Sequence, residues 1–199
     1  MVVVTALILF LVISYVVLKI LGLDQRTYLG AVMIPNTGNV GLPLCFLAFG
    51  ELGLAFAVIV YTLVSLTQFT LGLAIASGSF SPIELSKNPL IFSVLCALFV
   101  LFTGFKLPGW IVSTVHIFGQ FAIPLMLIML GVSLAKLRIT SLPRNLVLSF
   151  VRLTMGIVVG LFVSYIFGLE GVAKGVVILE CSMPAAVFNY MLAVRFQNG

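Results

Sequence analysis

Charge is what this chain has least of. Only 8% of its 199 residues are charged, five acidic and ten basic, against 62% hydrophobic and a mean hydropathy of +1.33. A soluble domain carries about 25% charged residues, so the composition excludes one and defines an integral membrane protein. There is a single histidine, and no Ser/His, paired-aspartate or HExxH arrangement on one segment. That removes the usual nucleophilic and metalloprotease chemistries, and the chain is not expected to be an enzyme. Cys45, Cys96 and Cys181 lie inside apolar stretches without CxxC spacing. They read as reduced packing thiols, and no metal or cofactor is expected. A pI near 9.4 raises the question of nucleic acid. The bases stand singly between apolar blocks and form no patch, so no nucleic-acid partner is expected. The run from Met1 to Leu23 lacks the basic n-region and small-residue cleavage site of a secretory signal, and is read as a mature span.

What the chain has in abundance is bilayer-length apolar sequence. At about 20 residues per crossing, spans are expected at 2–23, 28–49, 52–75, 89–105, 110–135, 145–167 and 172–195, the fourth starting at Asn88-Pro89. Alternating crossings place Lys19, Arg26, Lys87, Lys136, Arg138, Arg144 and Arg195 on one side, and Lys106 and Lys174 on the other. The excess of bases marks the cytoplasmic side. The N-terminus is then outside, the 77–88 loop is cytoplasmic, and the chain is a multi-pass protein of the cytoplasmic membrane.

Two spans are interrupted. Ile34-Pro35-Asn36-Thr37-Gly38-Asn39-Val40-Gly41-Leu42-Pro43-Leu44 places two prolines and several polar residues inside the second, and Glu180-Cys181-Ser182-Met183-Pro184 does the same in the last. An internal proline removes a helix hydrogen bond at a cost of roughly 3 kcal/mol. Lipid cannot solvate the freed carbonyls, so such a segment lines a protein-buried or watery cavity. By the crossing count the two interrupted spans run antiparallel. Inverted repeats explain this, because transporters built that way set one discontinuous helix from each repeat at the bilayer midplane. The expected fold is therefore an all-α membrane protein, an inverted-repeat secondary transporter with two crossed broken helices. Residues 1–76 form the remainder of the first repeat, 77–88 a cytoplasmic linker, and 89–199 the second repeat. Matching the halves leaves two spans missing at the front and one at the end, so the chain reads as a fragment of a protein with about ten spans.

Residues Pro35 to Leu44 resemble the signature of the auxin efflux carrier family of membrane transporters. Ala122-Ile123-Pro124-Leu125 with Leu130-Gly131-Val132-Ser133-Leu134, and Ser182-Met183-Pro184-Ala185-Ala186-Val187, are similar to that family's seventh and ninth spans. The resemblance implies ten spans as two inverted five-helix repeats, with the fourth and ninth broken where they cross. Those are 28–49 and 172–195 here. It also implies a homodimer, for which the small residues Gly156 and Gly160 give weak independent support.

Asn36, Thr37, Gly38 and Asn39 are the first candidates for substrate binding, since unwound backbone there offers amide donors and carbonyl acceptors. The alternative is that these side chains only satisfy groups released by the prolines. Gly38 and Gly41 permit the close approach of a crossing partner. Pro35, Pro43 and Pro184 are read as the helix breaks. Gln120, Ser182 and Asn189 are further pocket candidates, Gln120 and Asn189 reading equally as helix-to-helix hydrogen bonds. Glu180 is the one acid deep in a span, where an ionised carboxylate costs about 2.5–3.5 kcal/mol. It is a candidate to carry a coupling proton, to coordinate a cation such as sodium, or to pair structurally with Arg152. Arg152 itself either faces the cavity or snorkels to the headgroups. His116 reads as interfacial or packed.

The leading function is a secondary carrier that moves a small organic anion across the membrane by alternating access. Half-helix N-termini at the breaks favour negative charge. The alternative is a sensor or structural membrane subunit that keeps the fold without transport. An intramembrane enzyme would need Ser182 within about 3 Å of His116.

Overall fold

The computed structural model describes residues 1–72, 74–75, 89–135 and 142–186. The 77–88 linker, Lys136, Arg138, Asn189, Arg195 and the second half of the last span lie outside these. Among the described residues the chain is all helical: α1 (Val2–Ile20), α2 (Gln25–Met33), a π-helical turn (Thr37–Gly41), α3 (Leu42–Thr67), a second π turn (Gln68–Gly72), α4 (Pro89–Thr103), α5 (Gly109–Ala135), α6 (Leu142–Ile166) and α7 (Gly171–Cys181). Among the described residues, four helical runs are long and apolar enough to cross a bilayer.

One of those runs, Thr37–Gly72, is not a single rod. Gly50 takes φ +66° and ψ −155° inside it, a conformation that only glycine adopts readily. If the helix were straight, Gly38 and Tyr61 would lie about 34 Å apart at 1.5 Å per residue. Instead the Tyr61 ring packs on Gly38, where an added Cβ would come within 2.8 Å of it. The chain therefore folds back at Gly50, at the boundary expected between the second and third spans.

α1 buries Ala6, Leu7, Phe10, Ser14 and Leu18, a stripe at helical spacing, and turns its other faces outward. Leu23 N–H returns to the Leu18 carbonyl at 3.0 Å and closes the helix. Asp24 then caps α2, accepting Thr27 N–H at 2.8 Å and the Thr27 hydroxyl at 2.6 Å. Those hydrogen bonds hold its carboxyl below the ordinary carboxylate range. The main core joins α1, α2, the second arm of α3, α6 and α7 through residues such as Phe10, Met33, Val64, Val159 and Cys181. A smaller cluster links both arms of α3 to α7 and to Met126 of α5. By contrast, α4 and the first half of α5 present Phe92, Phe99, Trp110 and Phe118 outward, as a lipid-facing surface would.

Gly156 and Gly160 do not face outward. A Cβ at Gly156 would collide with the Cys181 carbonyl, and one at Gly160 would sit 2.9 Å from Ile178 Cα. These glycines let α7 lie close against α6 in the same chain, so they offer no face to a second copy. The expectation that they support a dimer is corrected.

Candidate functional site where two unwound segments cross

α2 stops at Met33, and Ile34 to Asn36 continue as non-helical chain, Ile34 extended. α7 stops at Cys181, and Met183 to Ala186 are likewise non-helical. The two segments meet as an antiparallel bridge between Pro35 and Ala185. Asn36 N–H donates to the Pro184 carbonyl at 2.8 Å, and Ala186 N–H donates to the Ile34 carbonyl at 3.2 Å. Each segment supplies the partners the other's helix lost. This is how non-helical backbone survives at membrane depth.

After the crossing the chain turns back into helix through the π turn. Asn36 opens it, accepting Asn39 N–H on its side chain at 3.3 Å and Gly41 N–H on its carbonyl at 3.1 Å. The N–H groups of Thr37, Gly38 and Val40 belong to a first turn, which has no intrahelical acceptors for them. Pro43 follows two residues after the π turn, inside the continuous helical run that begins at Thr37. Its missing N–H leaves that run one backbone donor short beside the π turn. The unwinding is centred at Ile34–Asn36, and Pro35 and Pro184 are the prolines in unwound chain.

Beside the crossing lies a cleft of about 170 Å³, lined by Pro35, Asn36, Thr37, Gly38 and Asn39, by Tyr61, Ser65, Gln68 and Phe69, and by Met126 and Ala186. That is room for several waters or a small polar group. All of the described lining residues are uncharged. Asn36 and Thr37 are buried, at 5% and 2% exposure. Tyr61, Ser65 and Gln68 were missed in the sequence because their span reads as plainly apolar. Their i, i+4, i+7 spacing puts them on one helix face, and that stripe was the available signal.

Two candidates lie elsewhere. Gln120 is exposed on α5 and pairs with His116 one turn before it at 3.0 Å. Ser182 sits at the end of α7, but its hydroxyl donates back to the Ile178 carbonyl at 2.6 Å and does not line the cleft. Ser182 and His116 thus each have another partner, and no Ser–His pair forms between them.

Glu180 and Arg152 are both buried, at 0% and 2% exposure. Arg152 is turned inward, its Nη2 donating to the Cys181 carbonyl at 3.1 Å and its guanidinium lying 4.6 Å from the centre of the Phe10 ring. Glu180 lies against Gly41, where any Cβ would collide with the carboxyl group. Its Oε1 receives the Cys45 thiol at 3.6 Å, and its Oε2 has no hydrogen-bond partner among the described residues. Of the alternatives for Glu180, the structural pair with Arg152 is not made: Arg152 bonds the neighbouring Cys181 carbonyl instead.

An all-α membrane protein whose interrupted helices meet at a polar cleft has the architecture of a membrane transport protein. The chain belongs to the membrane transport protein family, whose model matches residues 73–199. This is the auxin efflux carrier group that residues 35–44 resemble. It is 32% identical over 195 residues to an uncharacterized transporter of Methanothermobacter thermautotrophicus, covering 92% of this chain and 63% of that one. It is 26% identical over 176 residues to an uncharacterized transporter of Methanocaldococcus jannaschii, covering 83% and 57% respectively. The chain spans about three fifths of the length of these curated relatives. No solved structure matches it. Membership agrees with a multi-pass membrane protein.

Proposed function

We propose that the chain works as a secondary transporter for a small organic anion, with the crossing as the pivot of alternating access. The observation that carries this reading is the hydrogen-bonded antiparallel crossing of Ile34–Asn36 with Pro184–Ala186 beside a cleft rich in amides and open N–H groups. An anion there meets donors at the start of a helix without meeting any acidic side chain among the described lining residues. Asn36, Thr37, Gly38 and Asn39 hold the substrate in this reading, with Tyr61, Ser65 and Gln68 forming the opposite wall. Residues 1–76 and 89–199 are then inverted halves, with the 77–88 loop in the cytoplasm and the N-terminus outside. A tag on that loop reached only from the outside would contradict this orientation.

Glu180 is the coupling group in this reading, taking up a proton or a cation such as sodium. Its support is a buried carboxyl with one oxygen open and no arginine or lysine on it among the described residues. Flux measured with the proton and sodium gradients collapsed one at a time identifies the ion. Flux indifferent to both retires the coupling role.

Transport itself is tested in proteoliposomes with a panel of labelled organic anions. Saturable flux is expected, reduced at least about tenfold in Asn39→Ala by loss of a donor that contacts an anion, and nearly unchanged in Gln120→Ala. If no organic anion in the panel shows saturable flux, the non-transporting alternative takes its place.

A further inference from the structure

Arg152, bonded to the carbonyl of the residue that follows Glu180, keeps two buried donor nitrogens unpaired among the described residues. Its Nη2 is taken by the Cys181 carbonyl, but Nε and Nη1 have no hydrogen-bond partner among the described residues. The side chain is 98% buried, since only 2% of it is exposed. A guanidinium removed from water to that degree is stable only when its donors are met by anionic or carbonyl oxygens. One carbonyl and the face of Phe10 leave that requirement half filled.

A cleft of about 260 Å³ adjoins it, formed by α2, α6 and the non-helical segment after α7. Arg152 and Ser149 line it from one turn of α6, and Pro184 and Ala185 line it from the crossing segment. No acidic side chain is among its described lining residues, and Glu180 packs against Gly41 with its Oε1 on the Cys45 thiol. The crossing segment thus gives Ala186 to the asparagine cleft and Pro184 with Ala185 to this one.

We propose that the cleft beside Arg152 binds an oxyanion, a carboxylate or a phosphate, held by the open guanidinium donors with the Ser149 hydroxyl as a second contact. The planar fork of arginine matches two oxygens of such a group, and its weak hydration suits it to a dry site. The oxyanion comes either from a free organic acid or from the headgroup of an anionic lipid. This site uses none of the residues assigned to the substrate, so it stands or falls apart from the transport reading.

The test uses the full chain in nanodiscs of neutral phosphatidylcholine, with labelled succinate and inorganic phosphate as probes. Saturable binding that weakens at least about tenfold in Arg152→Gln, but persists in Asn39→Ala, supports a free-anion site. If neither probe binds, native mass spectrometry of protein extracted from phosphatidylglycerol-containing membranes decides. Lipid retained by the native chain and lost in Arg152→Gln supports a headgroup site. Arg152→Lys covers a variant that fails to fold, because it keeps the charge but not the fork. Weakened binding in Arg152→Lys sustains the proposal. Equal retention of succinate, phosphate and lipid by the native chain and whichever variant folds overturns it.

Discussion

Pro124 and Pro184 both fall in segments read from the sequence as apolar spans, and the chain answers them differently. α5 runs through Pro124 from Gly109 to Ala135, whereas α7 ends at Cys181 and residues 183–186 stay non-helical. Each proline removes the same donor and crowds the same preceding turn. The difference lies in what meets the freed backbone. At Pro184 the carbonyl takes the Asn36 N–H and the neighbouring Ala186 N–H finds Ile34, so unwinding strands neither group. A helix break in a bilayer is therefore a property of two segments together, and a proline alone only makes it cheaper.

The widest separation between the two regions is expected from replacing the prolines. Pro184→Ala lets α7 continue as helix and draws the segment away from Asn36, and flux should fall at least about tenfold, the equivalent of one lost charge-assisted contact. Pro124→Ala restores a helix hydrogen bond, leaving flux within about twofold while raising stability by up to about 3 kcal/mol. Similar losses for both, in transport and in thermal unfolding, would show that the crossing has no special standing.

A smaller contrast comes from glycines. In α6 a Cβ at Gly156 collides with the end of α7, but in α5 a Cβ at Gly119 meets nothing within 4 Å. Gly156→Val should destabilise the chain by about 1–3 kcal/mol through overpacking. Gly119→Val should change stability by less than about 0.5 kcal/mol, the usual size of a surface substitution. Thermal unfolding in detergent measures both, and equal values would deny that α6 and α7 pack as closely as described.

Much of this architecture was legible because membranes make it so. Lipid forbids irregular backbone, so Pro35 and Pro184 with their polar neighbours announced the crossing, and the turn at Gly50 fell between two apolar runs of bilayer length. The antiparallel sense of the crossing followed from counting spans. Side-chain direction was harder to read. Arg152 faced inward because the Cys181 carbonyl, freed at a helix end, needed a donor, and no local pattern says so. Gly156 and Gly160 look like a dimer motif, yet the neighbour they admit is α7, twenty-odd residues on in the same chain. Gln120 was placed in the pocket for its polarity, but a histidine one turn away on its own helix satisfies it. Pro43 was read as a second break, and the structure sets it just after the π turn within one helical run, while the fully non-helical chain lies at Pro35.

The central claim is that Ile34–Asn36 and Pro184–Ala186 are paired in the folded protein. The most direct test introduces Pro35→Cys and Ala185→Cys after replacing Cys45, Cys96 and Cys181, with a protease site placed in the 77–88 loop. Facing residues between a ladder's hydrogen-bonded pairs have Cα atoms about 4.5 Å apart, within disulfide range. After mild oxidation in native membranes and cleavage of the loop, the two halves should run as one band until reductant is added. Halves that separate completely without reductant, while each single-cysteine protein still inserts in the membrane, would contradict the crossing and the account built on it.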